Sequence, residues 1–209
     1  MAHYILSGGF PWTAPENGRD LCRTMYSLLP PGITQARLLI CLFSQPPAVW
    51  AEKIQAPLSM LRAHIPEGLN VEVTIADPYN FLEQIAEADI IYFNGGFTPL
   101  LVKALASYSL KASEWRERFG EKIIVGSSAG VSALTLFSVN VDSEVPQEGL
   151  GVLEIATLVH YNSASYQTTD SQPVDWDRVT TAFIAGCEER GIPEKNQLRI
   201  PEADFIVYS

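Results

Sequence analysis

Five short apolar runs rich in β-formers limit the folds open to this chain: Tyr4–Leu6, Leu38–Phe43, Val71–Ile75, Ile90–Phe93 and Ile123–Gly126. They lie about 20–35 residues apart, the spacing of βα units in a parallel sheet. Their largely continuous hydrophobicity suits strands covered on both faces. Between the runs, Leu21, Met25 and Leu28 recur at helical intervals, as do Trp50, Ile54, Leu58 and Leu61. Pro57 is expected to kink or divide that second helix, because a proline inside a helix removes a donor and clashes with the preceding turn. A later helix is predicted from Asp175 to Arg190, opening on acidic residues and closing on Arg190 before Gly191. Leu198-Arg199-Ile200 and Phe205–Tyr208 read as a final strand pair. No repeat, low-complexity stretch or linker divides the chain, and the pairs Pro30-Pro31 and Pro46-Pro47 mark loops. The expectation is one α/β domain over residues 1–209, a three-layer αβα sandwich with a mostly parallel central sheet.

In open sheets of this kind ligands bind beyond the carboxyl ends of the strands. Three such ends carry small or polar residues: Ser7-Gly8-Gly9, Asn94-Gly95-Gly96 and Gly126-Ser127-Ser128-Ala129-Gly130. The last reads Gly-x-Ser-x-Gly directly after the strand-like run Lys122–Val125. That pattern places a serine on a sharp strand-to-helix turn whose flanking positions must be nearly free of side chain. It exposes the Ser128 hydroxyl and aims the Ala129 N–H at an oxyanion forming on a bound carbonyl. The plain alternative is a small-residue turn opening a buried helix.

A serine hydroxyl is a weak nucleophile and needs a base within hydrogen-bond reach. The chain has 3 histidines. His3 precedes the first strand and His64 ends a helix, whereas His160 follows the apolar run Ile155–Val159 and would stand on the same rim as Ser128. The residues point to Asp142, or alternatively Glu144, as the acid that orients His160; Asp170, Asp175 and Asp177 follow the histidine. A second oxyanion donor is expected from the Gly95-Gly96 loop, because paired glycines permit backbone geometries that turn an N–H inward. An α/β-hydrolase puts its elbow early and its histidine late; a smaller elbow scaffold suits the short interval between Ser128 and His160 better.

Composition narrows the partners. The net charge of −10, with only 14 Lys and Arg, disfavours nucleic acid and anionic membrane. Cys22, Cys41 and Cys187 are odd in number and far apart, which predicts buried free thiols in a reducing compartment. The start, Met1–Leu6, lacks the basic and long apolar segments of a signal peptide. A cytoplasmic location is expected. The isolated histidines offer no zinc-ligand spacing and the glycine pairs no phosphate-binding fingerprint, so no metal and no cofactor are predicted. Monomer and homodimer both stay open.

Taken in order, Tyr4–Gly9, Asn94-Gly95-Gly96-Phe97-Thr98-Pro99-Leu100-Leu101, Gly126–Gly130, Gly149-Leu150-Gly151-Val152 and Val159-His160-Tyr161 resemble the peptidase family of dipeptidase E and cyanophycinase. The resemblance implies a class I glutamine amidotransferase-like fold and a serine peptidase acting on small peptides. It implies Ser128 as nucleophile, His160 as base, an acid between them, and an oxyanion hole from Gly95, Gly96 and Ala129. Departures are visible too. Relatives usually carry Asn where Phe97 stands, and Ala where Val131 stands. Dipeptidase E-like members have a further His and an Arg soon after the catalytic histidine, the Arg serving an N-terminal aspartate. Residues 162–170 hold neither, and Arg178 is the first cation after His160. Two other functions remain open from the residues: a non-catalytic binding protein on this scaffold, and an esterase.

Overall fold

Apolar residues at consecutive strand positions need helices on both sheet faces, and the chain supplies them in alternation. The computed structural model describes residues 2–14, 16–166 and 171–208. In chain order it forms β1 (His3–Ser7), α1 (Arg19–Ser27), β2 (Gln35–Cys41), α2 (Trp50–Lys53), α3 (Gln55–Ala63), β3 (Asn70–Ile75), α4 (Phe81–Glu87), β4 (Ile90–Phe93) and α5 (Thr98–Ala106). There follow α6 (Ala112–Phe119), β5 (Ile123–Ser127), α7 (Ala129–Leu134), β6 (Thr135–Val139), β7 (Pro146–Glu148), β8 (Leu153–Tyr161), α8 (Trp176–Glu189), β9 (Gln197–Pro201) and β10 (Phe205–Tyr208).

The main sheet runs β10-β1-β5-β4-β2-β3, parallel except for β10 at its edge. Its five parallel strands are the five runs, β10 is the sixth, and alternate residues face opposite layers. Ile5, Leu38, Ile40, Tyr92 and Val125 pack with Leu21, Met25 and Leu61 of α1 and α3. Leu6, Leu39, Phe93 and Ile124 pack with Phe81, Leu101, Trp115 and Phe119 on the other side. This is an α/β fold with a mostly parallel central sheet between helical layers.

A second sheet, β7-β6-β8-β9, lies outside the sequence-based expectation. Strand β8 pairs in parallel with β6 and β9, while β7 joins antiparallel. Helix α8 covers it through Val179, Phe183 and Cys187, with Phe183 stacked on Phe137 at 6.1 Å. Asp175 caps α8 by accepting from the Arg178 N–H, as a helix start over these residues requires.

The expected division at Pro57 is present: α2 ends at Lys53, the residue whose carbonyl a helical Pro57 could not bond to, and α3 restarts at Gln55 with Pro57 as its third residue. In a first turn the missing N–H has no intrahelical acceptor to lose. One local expectation changes. The last two strands are not a pair within one sheet, because β9 joins β8 while β10 turns back onto β1. The turn between them crosses from one sheet to the other, and that crossing carries Glu202 to the rim. All three cysteines are buried and free, and burial pushes the Cys41 thiol up to about 12. Among the described residues no helix is long and apolar enough to cross a membrane.

Candidate active site

Register brings the small-residue strand ends together. Leu6 and Phe93 both align with Gly126, and Ser7 aligns with Ser127, so the residues following β1, β4 and β5 meet at one rim. There the chain turns from β5 into α7 through Ser128, at φ 48 and ψ −107. A non-glycine residue in that region carries strain of about 1–3 kcal/mol, tolerated only where its surroundings over-determine it. Here the Ser128 N–H donates to the Ser7 carbonyl at 3.0 Å, and the Ser128 carbonyl accepts from Val131 and Ser132. The flanking glycines are sterically required. A Cβ on Gly130 would lie 2.3 Å from the Phe93 carbonyl oxygen, and one on Gly126 2.9 Å from the Val131 nitrogen.

His160 closes the end of β8. Its N–H donates to the Gly8 carbonyl at 3.0 Å, tying the second sheet to the first. Gly9 makes room for the ring, since a Cβ there would fall 2.1 Å from His160 Cε1. The imidazole is 4% exposed and lies between the rings of Phe10 (5.4 Å) and Tyr166 (4.5 Å). Its Nε2 stands 2.8 Å from Ser128 Oγ, and its Nδ1 stands 3.1 Å from Glu202 Oε2. A carboxylate only accepts, so Nδ1 carries the proton and Nε2 is left to accept from the serine hydroxyl. Ser165 Oγ donates to the other Glu202 oxygen at 2.9 Å. The hydrogen bond from His160, then that from Ser165, hold the Glu202 carboxyl below the usual carboxylate range against the opposing effect of burial.

The acid at His160 is therefore Glu202, and the expectation of Asp142 or Glu144 is corrected. Asp142 Oδ1 accepts from the Tyr166 hydroxyl at 3.1 Å, which puts a phenol ring between it and the imidazole. Glu144 pairs with the Arg178 guanidinium at 2.6 Å. Asp175 is spent on capping α8, and Asp170 lies outside the described residues. Glu202 escaped sequence reasoning because it follows His160 by 42 positions, on a short turn between two strands that part into different sheets. Its one signal was the polar Pro201–Asp204 turn itself, which has to lie against Gly8: a Cβ there would sit 2.0 Å from the Pro201 carbonyl oxygen.

The Gly95-Gly96 loop adjoins the serine, with a Cβ built on Gly95 reaching 3.5 Å from Ser128 Cβ. Residues after β2 lock it in place. Ser44 Oγ and Gln45 Nε2 donate to the Gly95 carbonyl, both at 2.9 Å, and the Ser44 carbonyl accepts from Phe97 N–H at 2.8 Å. Across a trans peptide the Gly96 N–H points opposite to the Gly95 carbonyl, away from Ser44 and Gln45. Gly96 lines both recesses that open beside Ser128 and His160. One, of about 290 Å³, runs past Phe97, Val141, Asp142 and Tyr166; the other, of about 250 Å³, runs past Phe10, Trp12 and Lys53. Among the described residues no group of three His, Cys, Asp or Glu side chains could hold a metal.

No protein-family model and no curated protein sequence matches this chain. Solved structures do. A peptidase from an acI-B1 Actinobacterium superposes with a TM-score of 0.63 at 15% identity, over 100% of this chain and 83% of that one. A candidate Peptidase E protein from Listeria monocytogenes EGD-e superposes with a TM-score of 0.59 at 16% identity, over 100% of this chain and 98% of that one. The chain shares the fold of these two proteins.

Proposed function

We propose that this protein is a serine peptidase that hydrolyses amide bonds of small peptides through an acyl-enzyme. The observation that carries the reading is the unbroken line Ser128 Oγ–His160 Nε2 at 2.8 Å and His160 Nδ1–Glu202 at 3.1 Å, starting from a strained elbow serine. The peptidases of the same fold support it.

Ser128 Oγ attacks the scissile carbonyl carbon as its proton passes to His160 Nε2. Glu202 stabilises the imidazolium and keeps the ring in register. The N–H groups of Ala129 and of the Gly95-Gly96 loop receive the oxyanion. The imidazolium then gives its proton to the departing amine nitrogen as the C–N bond breaks. A water, losing its proton to Nε2, adds to the acyl carbon, and collapse of that adduct releases the acid and restores the serine. No step calls for a metal or cofactor. Three buried thiols suit a reducing, cytosolic setting.

The test pairs a dipeptide panel with labelling by a fluorophosphonate. Wild type should turn over at least one dipeptide and take up the label, and Ser128→Ala should do neither. Labelling without any peptide turnover would favour an esterase; equal behaviour of the two proteins would end the serine reading.

A further inference from the structure

The recess of about 250 Å³ beside Ser128 has an aromatic lining, with Phe10 and Trp12 edge to face at 5.7 Å. It is smaller than pockets that enclose a whole ligand, about 300–1,000 Å³, and suits a single side chain of a substrate. Its polar members largely bond to the protein itself. Gln45 Nε2 donates to the Gly95 carbonyl at 2.9 Å, and the Gln45 carbonyl accepts from the Trp50 indole N–H at 2.9 Å. The Asn94 carbonyl accepts from Ser44 Oγ at 3.0 Å, and the Asn94 side-chain oxygen is closed off from solvent. Lys53 Nζ pairs with Glu52 at 2.9 Å. Ring surface is what this recess offers a ligand.

Phe10 is held in place against its own preference. Its backbone sits at φ 45 and ψ 48, a left-handed conformation that is an outlier for a bulky residue. The Gly9 carbonyl before it accepts from the Ala203 N–H at 2.8 Å. Its own carbonyl accepts from the Thr13 N–H at 2.9 Å and from the Thr13 hydroxyl at 2.8 Å. Trp12 packs in turn against the core beneath α1 and α3. A glycine would fit this turn without strain, so the backbone does not call for phenylalanine. Core packing does not call for it either, because Phe10 is 42% exposed. Strain of this kind collects at active sites and ligand clamps. The ring stands 5.4 Å from His160, a fixed apolar surface beside the reacting pair.

Building on the peptidase reading, we infer that this recess receives a bulky apolar side chain, aromatic above all, from one of the two residues flanking the scissile bond. Phe10 is its specificity-determining residue. Burial of the incoming ring and its edge-to-face contacts with Phe10 and Trp12 supply the preference.

The test compares Ala-Ala, Phe-Ala and Ala-Phe, the last two showing which side of the scissile bond the recess serves. Binding is read by calorimetry on Ser128→Ala, and kcat/KM on proteins that keep the serine. One of the aromatic dipeptides should bind about thirtyfold more tightly than Ala-Ala, the scale of burying one aromatic side chain. In Ser128→Ala/Phe10→Gly, a change the left-handed backbone favours, that advantage should fall about fivefold or more. With Ser128 present, Phe10→Gly should lower kcat/KM for the preferred aromatic dipeptide far more than for Ala-Ala. An equal loss on all three would make Phe10 a support for His160 and overturn the inference. An aromatic advantage below about threefold for both peptides, absence of measurable binding included, overturns it too, as does one that survives Phe10→Gly. Binding in the expected order with no Ser128-dependent turnover of any peptide would instead overturn the peptidase reading and leave the aromatic recess standing.

Discussion

Replacing Glu202 by Gln tests the relay at its least anticipated member. The change keeps the size of the side chain and removes its charge. Opposite unit charges 3.1 Å apart, at an effective dielectric of about 20, attract by about 5 kcal/mol. The side chains of His160 and Glu202 are only 5% and 13% exposed, so solvent screens that attraction little. A glutamine oxygen at Nδ1 would retain part of it as a neutral hydrogen bond. A glutamine NH2 there would force the other tautomer and leave Nε2 unable to accept from Ser128. Either way the loss falls on the transition state, where the imidazolium exists. We expect kcat/KM to fall about 10³-fold, equivalent to about 4 kcal/mol, with KM changed less than about threefold. Steady-state kinetics on the best peptide of the panel, together with the rate of fluorophosphonate labelling, would measure it. A loss under about fivefold in both, or a larger kcat loss in Asp142→Asn than in Glu202→Gln, would refute Glu202 as the third member.

Other outcomes follow from the same geometry. The Glu202 carboxyl is held below its unfolded value of about 4.3, so its stabilisation is present above that pH and lost as pH falls through the lower folded value. The gap in unfolding free energy between wild type and Glu202→Gln should hold at pH 6 and shrink below about pH 4.3 in urea titrations; a gap that widens on acidification would contradict this. Ser128→Gly and Ser128→Ala both lose the hydroxyl, but only Ala keeps a Cβ at φ 48, so the glycine variant should be more stable by about 1–2 kcal/mol; equal urea midpoints would mean the elbow is unstrained. Gln45→Ala frees one of two donors on the Gly95 carbonyl and should lower kcat about tenfold with little change in KM, whereas a pure KM effect would place Gln45 in substrate binding.

Much of this molecule was legible as pattern. The five runs became the five parallel strands: in β1, β2, β4 and β5 burial on both faces leaves a largely unbroken hydrophobic signature, while the edge strand β3, which has no buried residue, shows the alternation Val71, Val73, Ile75 instead. The elbow was legible because a strand that turns at once into a helix against β4 admits only glycine at positions 126 and 130. His160 could be reached by reasoning from strand ends. The second sheet was harder: β7 is three residues long, and β6 follows α7 with no loop to announce it. Asp142 was misassigned because sequence order makes it a neighbour of His160, while in space Tyr166 stands between them.

The sequence alone thus determined an α/β architecture with a tight serine-bearing strand-to-helix turn at the carboxyl end of β5, since both rest on local sterics and burial within a few residues. Tertiary structure alone decided which carboxylate meets His160. That choice depends on β9 and β10 parting into different sheets, so that the turn between them swings Glu202 over Gly8 and onto the imidazole. A carboxylate's partner is set by where the backbone carries it, and no local feature of Pro201-Glu202-Ala203-Asp204 encodes a position 42 residues away.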